Sequence, residues 1–107
     1  MPESAERGAL TEAVYYILLS LYSPMHGYAI MQNIRDLSGG RVTLGAGTLY
    51  GAINTLLEKG WITGAGDHVN SRKKEYVITA LGRNVMADEL ARLNELIQNG
   101  ERIMRTQ

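Results

Sequence analysis

The 107-residue chain contains no cysteine. This absence excludes a disulfide scaffold, a thiolate zinc site and a cysteine nucleophile. The chain also lacks an apolar run near the roughly 18 residues that a membrane span requires, and its first residues lack the basic-then-apolar order of a signal peptide. We therefore expect a cytoplasmic protein that does not span a membrane.

Residues suited to catalysis or metal binding are also scarce. His26 and His68 are the only histidines, and neither belongs to a cluster of metal ligands. No serine is spaced to form a nucleophile with a base and an orienting group. The glycines around Gly47 do not fit the dinucleotide-binding fingerprint, because Tyr50 stands where its last glycine belongs. We expect neither an enzyme nor a metal or cofactor.

The length and composition indicate one compact domain with a small core. A domain of this size buries only about two-thirds of the surface of its unfolded chain, so association with a second copy is a natural way to bury more. The 11 basic and 11 acidic residues cancel over the whole chain. Residues 35–83, however, carry seven basic and four acidic side chains, an excess that permits an anionic partner but does not by itself indicate one.

The apolar pattern predicts two helices in the first part of the chain. The first covers residues 8–22 and is apolar on two sides, so one side is free to face a partner or a ligand. Ser23 and Pro24 end it. The second stripe runs from Gly27 to Leu37 and predicts a helix that the following glycine pair closes.

A third helix, a hairpin and a last helix follow. After an extended stretch at residues 41–44, which is compatible with a small strand, the third helix begins near Gly47 or Thr48 and ends at Gly60. Short strands are predicted at residues 61–63 and 74–78, joined by a loop of turn-forming residues. Thr79 is a good N-cap for the last helix, whose apolar residues recur at spacings typical of a helix that meets another helix.

Three helices followed by a hairpin is the order of a winged helix-turn-helix, in which the third helix enters the major groove of DNA and the hairpin is the wing. We predict a mainly α fold with a small β-hairpin wing, of the α+β class, and an added C-terminal dimerisation helix. The DNA-binding domain is assigned to residues 1–79 and the dimerisation helix to residues 80–107 of the same compact domain.

The third helix and the wing carry the residues suited to double-stranded DNA. The outward face of the helix has small or hydrogen-bonding side chains and no acid before Glu58, so it can approach phosphates. A run of three basic residues at the wing suits phosphate contacts. The predicted DNA-binding residues are Gly47, Thr48, Tyr50, Asn54, Thr55, Arg72, Lys73 and Lys74.

From Leu10 to about Asn99 the chain resembles the PadR-like family of bacterial transcriptional regulators. The segments that carry the resemblance are PMHGY at 24–28, GTLY at 47–50, LEKGWI at 57–62 and RKKEYVIT at 72–79. By this resemblance, Thr48 and Tyr50 match the start of the recognition helix, and Lys74 matches the basic position before the tyrosine of the wing, Tyr76. Some drug-sensing relatives carry a tryptophan on the last helix, whereas the only one here is Trp61.

The resemblance implies a homodimer held by the last and first helices, bound to a two-fold operator and acting mostly as a repressor. It also implies release from DNA by a small aromatic or multidrug-like effector. The predicted dimer-interface residues are Leu10, Val14, Met86, Leu90, Leu93 and Ile97. The predicted effector-binding residues are Tyr15, Tyr16 and Leu19, which in the alternative interpretation only fill the dimer core. Two other functions stay open: a ligand-independent DNA-binding protein, and a winged-helix module that binds proteins.

Overall fold

The computed structural model describes residues 8–66 and 74–106. Within these residues lie four helices: α1 (Glu12–Ser20), α2 (Gly27–Leu37), α3 (Ala46–Lys59) and α4 (Ala80–Arg105). Three short strands, β1 (Met25–His26), β2 (Ile62–Ala65) and β3 (Glu75–Ile78), form one antiparallel sheet in the order β1–β3–β2. This confirms the predicted mainly α fold with a small β wing.

Helix α1 is shorter than the predicted range of 8–22. It begins after Thr11, whose hydroxyl oxygen accepts a hydrogen bond from the Val14 N–H at 3.2 Å and so caps the first turn. The backbone N–H of Leu10 donates instead to a carboxylate oxygen of Glu89 on α4, at 3.2 Å. The segment before Thr11 is therefore held by a tertiary contact and not by helical bonds.

The strand allowed at residues 41–44 does not form, and the third strand of the sheet comes from elsewhere. Met25 pairs with Tyr76 and His26 with Glu75, on the edge of β3 that β2 leaves free. His26 already has an extended backbone because it is the N-cap of α2, where its Nδ1 accepts a hydrogen bond from the Ala29 N–H at 3.3 Å. Because His26 is extended and lies beside the free edge of β3, it pairs there and adds the third strand to the sheet.

The end of α3 and the start of α4 are bonded to each other. We call this contact the α3–α4 joint, made of Gly60, Trp61, Thr79 and Gly82. The Thr79 hydroxyl donates to the carbonyl of Gly60 at 2.7 Å and accepts from the N–H of Gly82 at 3.0 Å, while the Thr79 N–H donates to the carbonyl of Trp61 at 3.0 Å. One threonine thus caps α4 and ties it to the C-terminal end of α3.

The hydrophobic core lies where α1, α2 and α3 meet the sheet and the first half of α4. Met86 belongs to this core and is only 4% exposed. The prediction that Met86 faces a partner subunit is therefore wrong, because the turn of α4 that carries it packs on its own chain. Glu89, one turn further, is also buried.

Beyond Glu89, α4 leaves the body of the domain. The helix has 26 residues and so spans about 39 Å, but its buried residues all lie in the first ten positions. We call residues 90–105 the α4 arm. Five large apolar side chains of the arm are each more than half exposed: Leu90, Leu96, Ile97, Ile103 and Met104. Within the described residues, no helix combines the length and the apolar character that crossing a membrane requires.

Candidate nucleic-acid interface

The exposed face of α3 carries mostly small side chains. Gly47, Thr48, Gly51 and Asn54 are all exposed, and a Cβ added at either glycine would meet no atom within 4 Å. A glycine inside a helix lowers the free energy of unfolding by about 0.5–1 kcal/mol relative to alanine. Because no neighbouring atom requires a glycine at either position, packing within the chain does not explain them. They leave the backbone of α3 open to close approach from outside.

Tyr50 has a packing role that its position in the sequence did not indicate. The side chain is 43% exposed, but its hydroxyl lies over Gly27, where a Cβ would come within 2.2 Å of the phenol oxygen. Tyr76 of β3 lies nearby, and burial raises the pKa of its phenol, with a further rise from Tyr50. Tyr50 therefore packs α3 against the first turn of α2.

Thr55 is turned away from Asn54 by the 100° that separates successive residues of a helix. Its hydroxyl donates to the carbonyl of Gly51 at 3.2 Å, and its side chain lines a groove shared with Val14 and Trp61. Among the predicted DNA-binding residues of α3, Thr55 thus lies at the edge of the exposed face and not at its centre.

The wing is described only at its base. Lys74 is exposed, with its Nζ 5.9 Å from the centroid of the Tyr76 ring. Arg72 and Lys73, the other two predicted basic contacts, lie outside the described residues. A further exposed aromatic, Tyr28, lies in the first turn of α2 with 70% of its surface free. Tyr28 was not among the predicted DNA-binding residues, although it falls outside the apolar stripe of α2, which is the pattern of an exposed side chain.

A second candidate site is a groove of about 320 Å³ between α1 and α4, which we call the α1–α4 groove. Tyr15 and Tyr16, both predicted to bind an effector, line it, with their ring centroids 6.2 Å apart in an edge-to-face arrangement. Leu19, the third predicted residue, is not part of the lining. The remaining walls come from Leu10, Glu12, Glu89, Arg92 and Leu93.

The charges of the α1–α4 groove are paired. Arg92 donates to both carboxylate oxygens of Glu89, at 3.0 and 2.6 Å, and this pairing raises the pKa of the guanidinium. Arg41 forms a two-point ion pair with Glu12, whose pKa is lowered by that hydrogen bonding. The Glu89 carboxylate is buried, and the amide of Leu10 and the guanidinium of Arg92 supply the hydrogen bonds that this burial requires.

The predicted dimer-interface residues divide by their surroundings. Leu10 and Val14 are partly buried and pack against the core of their own chain. Leu93 is partly buried at the α1–α4 groove. Leu90 and Ile97 are 53% and 56% exposed on the α4 arm, so they are the two whose apolar surface is largely free for a partner.

The exposed third helix, the wing-like sheet and the long last helix agree with one known family. The model of the transcriptional regulator PadR-like family matches residues 16–88. The chain belongs to the PadR-like family. This PadR-like protein is accordingly a DNA-binding transcriptional regulator and not an enzyme.

Solved structures are similar to this PadR-like regulator over most of its length. A PadR family transcriptional regulator from Eggerthella lenta has 25% sequence identity and a TM-score of 0.70, over 88% of this chain and 82% of the other. RosR from H. salinarum has 25% identity and a TM-score of 0.69, over 91% and 86%. A transcriptional regulator from Clostridium thermocellum, at 22% identity and a TM-score of 0.65 over 88% and 90%, shares the fold. No curated protein matches the chain.

Proposed function

We propose that this PadR-like protein is a homodimeric repressor that binds a two-fold DNA operator and is released by a small-molecule effector. The observation that carries the dimer is the uncovered apolar surface of the α4 arm. A contiguous apolar surface of this kind marks an interaction site. A second copy supplies an identical arm, and a two-fold pair of arms would bury both. Leu90, Leu93 and Ile97 would face the partner, with Leu10 and Val14 at the margin of the interface.

On DNA, α3 would lie in the major groove. The Asn54 amide can read a base edge, and Gly47, Thr48 and Gly51 let the helix backbone come close to the duplex. Lys74, with Arg72 and Lys73, would contact phosphates from the wing without reading sequence. Tyr28 would contact the backbone from the first turn of α2, because the first helix of a helix-turn-helix crosses the phosphates.

Asn54→Ala and Lys74→Ala test this division of roles. Asn54→Ala is expected to cost about 1–3 kcal/mol on the operator and much less on random duplex DNA, because a base contact is lost. Lys74→Ala is expected to weaken both, and to reduce the slope of log affinity against log salt by about 0.9 for each subunit. The measurement is a titration of both duplexes at several salt concentrations, with the operator taken from DNA fragments that co-purify with the protein.

Asn94→Ala and Arg105→Ala, which remove the same kinds of group from exposed positions of α4, are the matched controls. They should leave specificity and salt slope unchanged. If Asn54→Ala and Lys74→Ala instead lower both affinities in the same proportion with an unmoved salt slope, α3 and the wing do not have the roles proposed. Salt-independent binding by the unaltered protein would contradict DNA binding through this surface altogether.

Gly51→Ala is expected to move folding and DNA binding in opposite directions. The free energy of unfolding should rise by about 0.5–1 kcal/mol, because a methyl group there meets open space and alanine favours the helix. Operator affinity should fall, because the methyl group occupies space into which the duplex would come. Urea unfolding and operator titration are the two measurements. A stabilised variant that binds the operator unchanged would show that DNA does not approach α3 at Gly51.

The effector would bind in the α1–α4 groove, where Tyr15 and Tyr16 offer aromatic walls with hydroxyl groups. A ligand there touches α1 and α4 together and so can alter the angle of the arm. Phenolic and multidrug-like compounds should then raise the melting temperature and lower operator affinity. If a panel of such compounds changes neither, the two tyrosines only pack between the helices and release by an effector is not supported.

A further inference from the structure

The α4 arm contains an asparagine followed by a glycine, Asn99 and Gly100, within the last two turns of the helix. Asn99 is exposed. Apart from the backbone of the helix itself, the described atom that a Cβ at Gly100 would meet within 4 Å is the sulfur of Met104, one turn further along α4. Packing within the chain therefore does not explain a glycine here, although glycine weakens a helix interior.

The helix at Gly100 is easily opened in a single chain. In an α-helix the Gly100 N–H donates to the carbonyl of Leu96, and this bond fixes the local backbone. The buried residues of α4 end at Glu89, so the arm beyond it is held mainly by its own helical bonds. Helix ends fray at almost no cost, and an isolated helix as short as the arm is only marginally stable. The Gly100 N–H is therefore free for part of the time.

The side-chain amide of Asn99 lies next to this N–H and is polarised. Its Oδ1 accepts a hydrogen bond from the guanidinium of Arg102 at 3.1 Å. A charged donor draws electron density from the amide carbon and stabilises negative charge that develops on the oxygen. Because Gly100 has no Cβ, its nitrogen is an unhindered nucleophile. Adjacent residues thus supply an electrophilic carbon and a nitrogen that can reach it once the turn opens.

We propose that Asn99 and Gly100 form a self-modification site at which an unpaired α4 arm loses a side-chain amide. The Gly100 nitrogen bonds to Cγ of Asn99, the bond between Cγ and the amide nitrogen breaks, and ammonia leaves with the proton of the Gly100 N–H. The product is a five-membered succinimide ring. Water then adds to one or the other ring carbonyl and opens the ring to aspartate or isoaspartate at position 99.

The isoaspartate product would break the arm. Its backbone runs through the former side chain and contains an additional methylene group, so the helical hydrogen bonds cannot continue past position 99. Ile103 and Met104 would then no longer extend the apolar side of the arm that includes Ile97. An arm broken in this way would pair poorly with a second arm, and the change is irreversible.

Pairing of two arms would in turn protect the site. Gly100 lies on the same side of the helix as Ile97 and Met104, three and four residues away, so the partner's arm in the proposed dimer would cover it. Packing there opposes opening of the turn. This protection rests on the proposed function, whereas reaction in an unpaired arm does not.

The test follows conversion of Asn99 in the full-length protein at neutral pH, by peptide mass spectrometry with synthetic aspartate and isoaspartate peptides as standards. Asn94 is the internal control, because it is exposed on the same helix but precedes Glu95. In Ile97→Asp, which places a charge in the proposed interface, Asn99 should convert while Asn94 stays intact. The parent should convert more slowly by about tenfold or more, since a buried apolar side chain must first be exposed. Gln98→Asp, with the same charge outside the apolar side, should keep the slow rate of the parent.

Gly100→Ala, introduced into Ile97→Asp, should lower the conversion rate at least about two- to fivefold, because alanine favours the closed helix. Gly51→Ala in the same background makes the same change in α3 and should leave the rate unmoved. The proposal is overturned if Asn99 of Ile97→Asp stays intact over a time in which protein unfolded in guanidinium chloride converts. Conversion of Asn94 as fast as that of Asn99, or an unchanged rate in Gly100→Ala, would also overturn it.

Failure of this inference and failure of the proposed dimer give different results. If the parent and Ile97→Asp convert at one rate, with Asn99 ahead of Asn94 in both, the modification site stands and the α4 arm is not the interface. If Asn99 stays intact in an Ile97→Asp variant that sediments as a folded monomer, the proposed dimer stands and this inference fails.

Discussion

Gly82→Ala is expected to destabilise the fold by about 3 kcal/mol or more, the usual upper range for overpacking a rigid site. A Cβ at this position would lie 2.2 Å from the carbonyl oxygen of Trp61 and 2.7 Å from a side-chain carbon of Ile78. The carbonyl cannot move alone, because it accepts the N–H of Thr79 at 3.0 Å. The methyl group must therefore separate α4 from the end of α3.

The measurement is urea unfolding at one fixed protein concentration, since the apparent stability of a dimer depends on concentration. Gly51→Ala is the matched control, a helical glycine that has open space around it. The two variants add the same methyl group and should shift the unfolding midpoint in opposite directions. A midpoint in Gly82→Ala equal to that of the parent would mean that the α3–α4 joint relaxes at no cost, contrary to its bonding.

Ile97→Asp is expected to convert the proposed dimer into a folded monomer. Ile97 is 56% exposed in the single chain, so the charge should cost little in the monomer. In a dimer it would place an unpaired carboxylate from each copy in an apolar interface, at a cost of several kcal/mol, which corresponds to a dissociation constant higher by about a hundredfold or more. Operator affinity should fall as well, because two linked half-site contacts become separate ones.

Sedimentation equilibrium measures the association, and circular dichroism establishes that the variant is folded. Gln98→Asp introduces the same charge at the neighbouring exposed position, on the side of α4 turned away from the apolar series, and should remain dimeric. Leu93 is a poorer position for this test, because it lines the α1–α4 groove of its own chain and its replacement would also disturb the fold. An Ile97→Asp variant that sediments as the parent does would show that the α4 arm is not the interface.

Helix positions followed from local signals and were therefore predictable. Gly60 ends α3 with a φ of 75°, and Thr79 caps α4, as their residue types indicated. Strand β1 was not predictable, because two residues next to Pro24 become a strand only through the edge of β3, about 50 positions later in the chain. The residue pattern at 24–26 contains no information about pairing with β3.

In the candidate site, too, features set by helical spacing were predictable, whereas features set by tertiary contacts were not. The exposed face of α3 follows from helical spacing, and Asn54 lies on it as expected. The spacing of the last helix, however, cannot distinguish a turn that packs on its own domain from one that faces a partner, which is why Met86 was assigned to the wrong side. The burial of Glu89 depends on the amide of Leu10, 79 positions away, and could not be derived from α4 alone.

The bonds of the Thr79 hydroxyl join the end of α3 to the start of α4, so a rotation of one helix about the α3–α4 joint would turn the other with it. Helix α4 extends about 39 Å from that joint, and α3, with 14 residues, about 21 Å. A rotation that moves the far end of α4 by about 3 Å would move the first turn of α3 by about 1.6 Å, in proportion to these lengths. Hydrogen bonds tolerate only about 0.5 Å of variation between donor and acceptor. In the proposed dimer, a small change of angle between the two α4 arms would therefore be enough to take both α3 helices out of register with the bases of the operator.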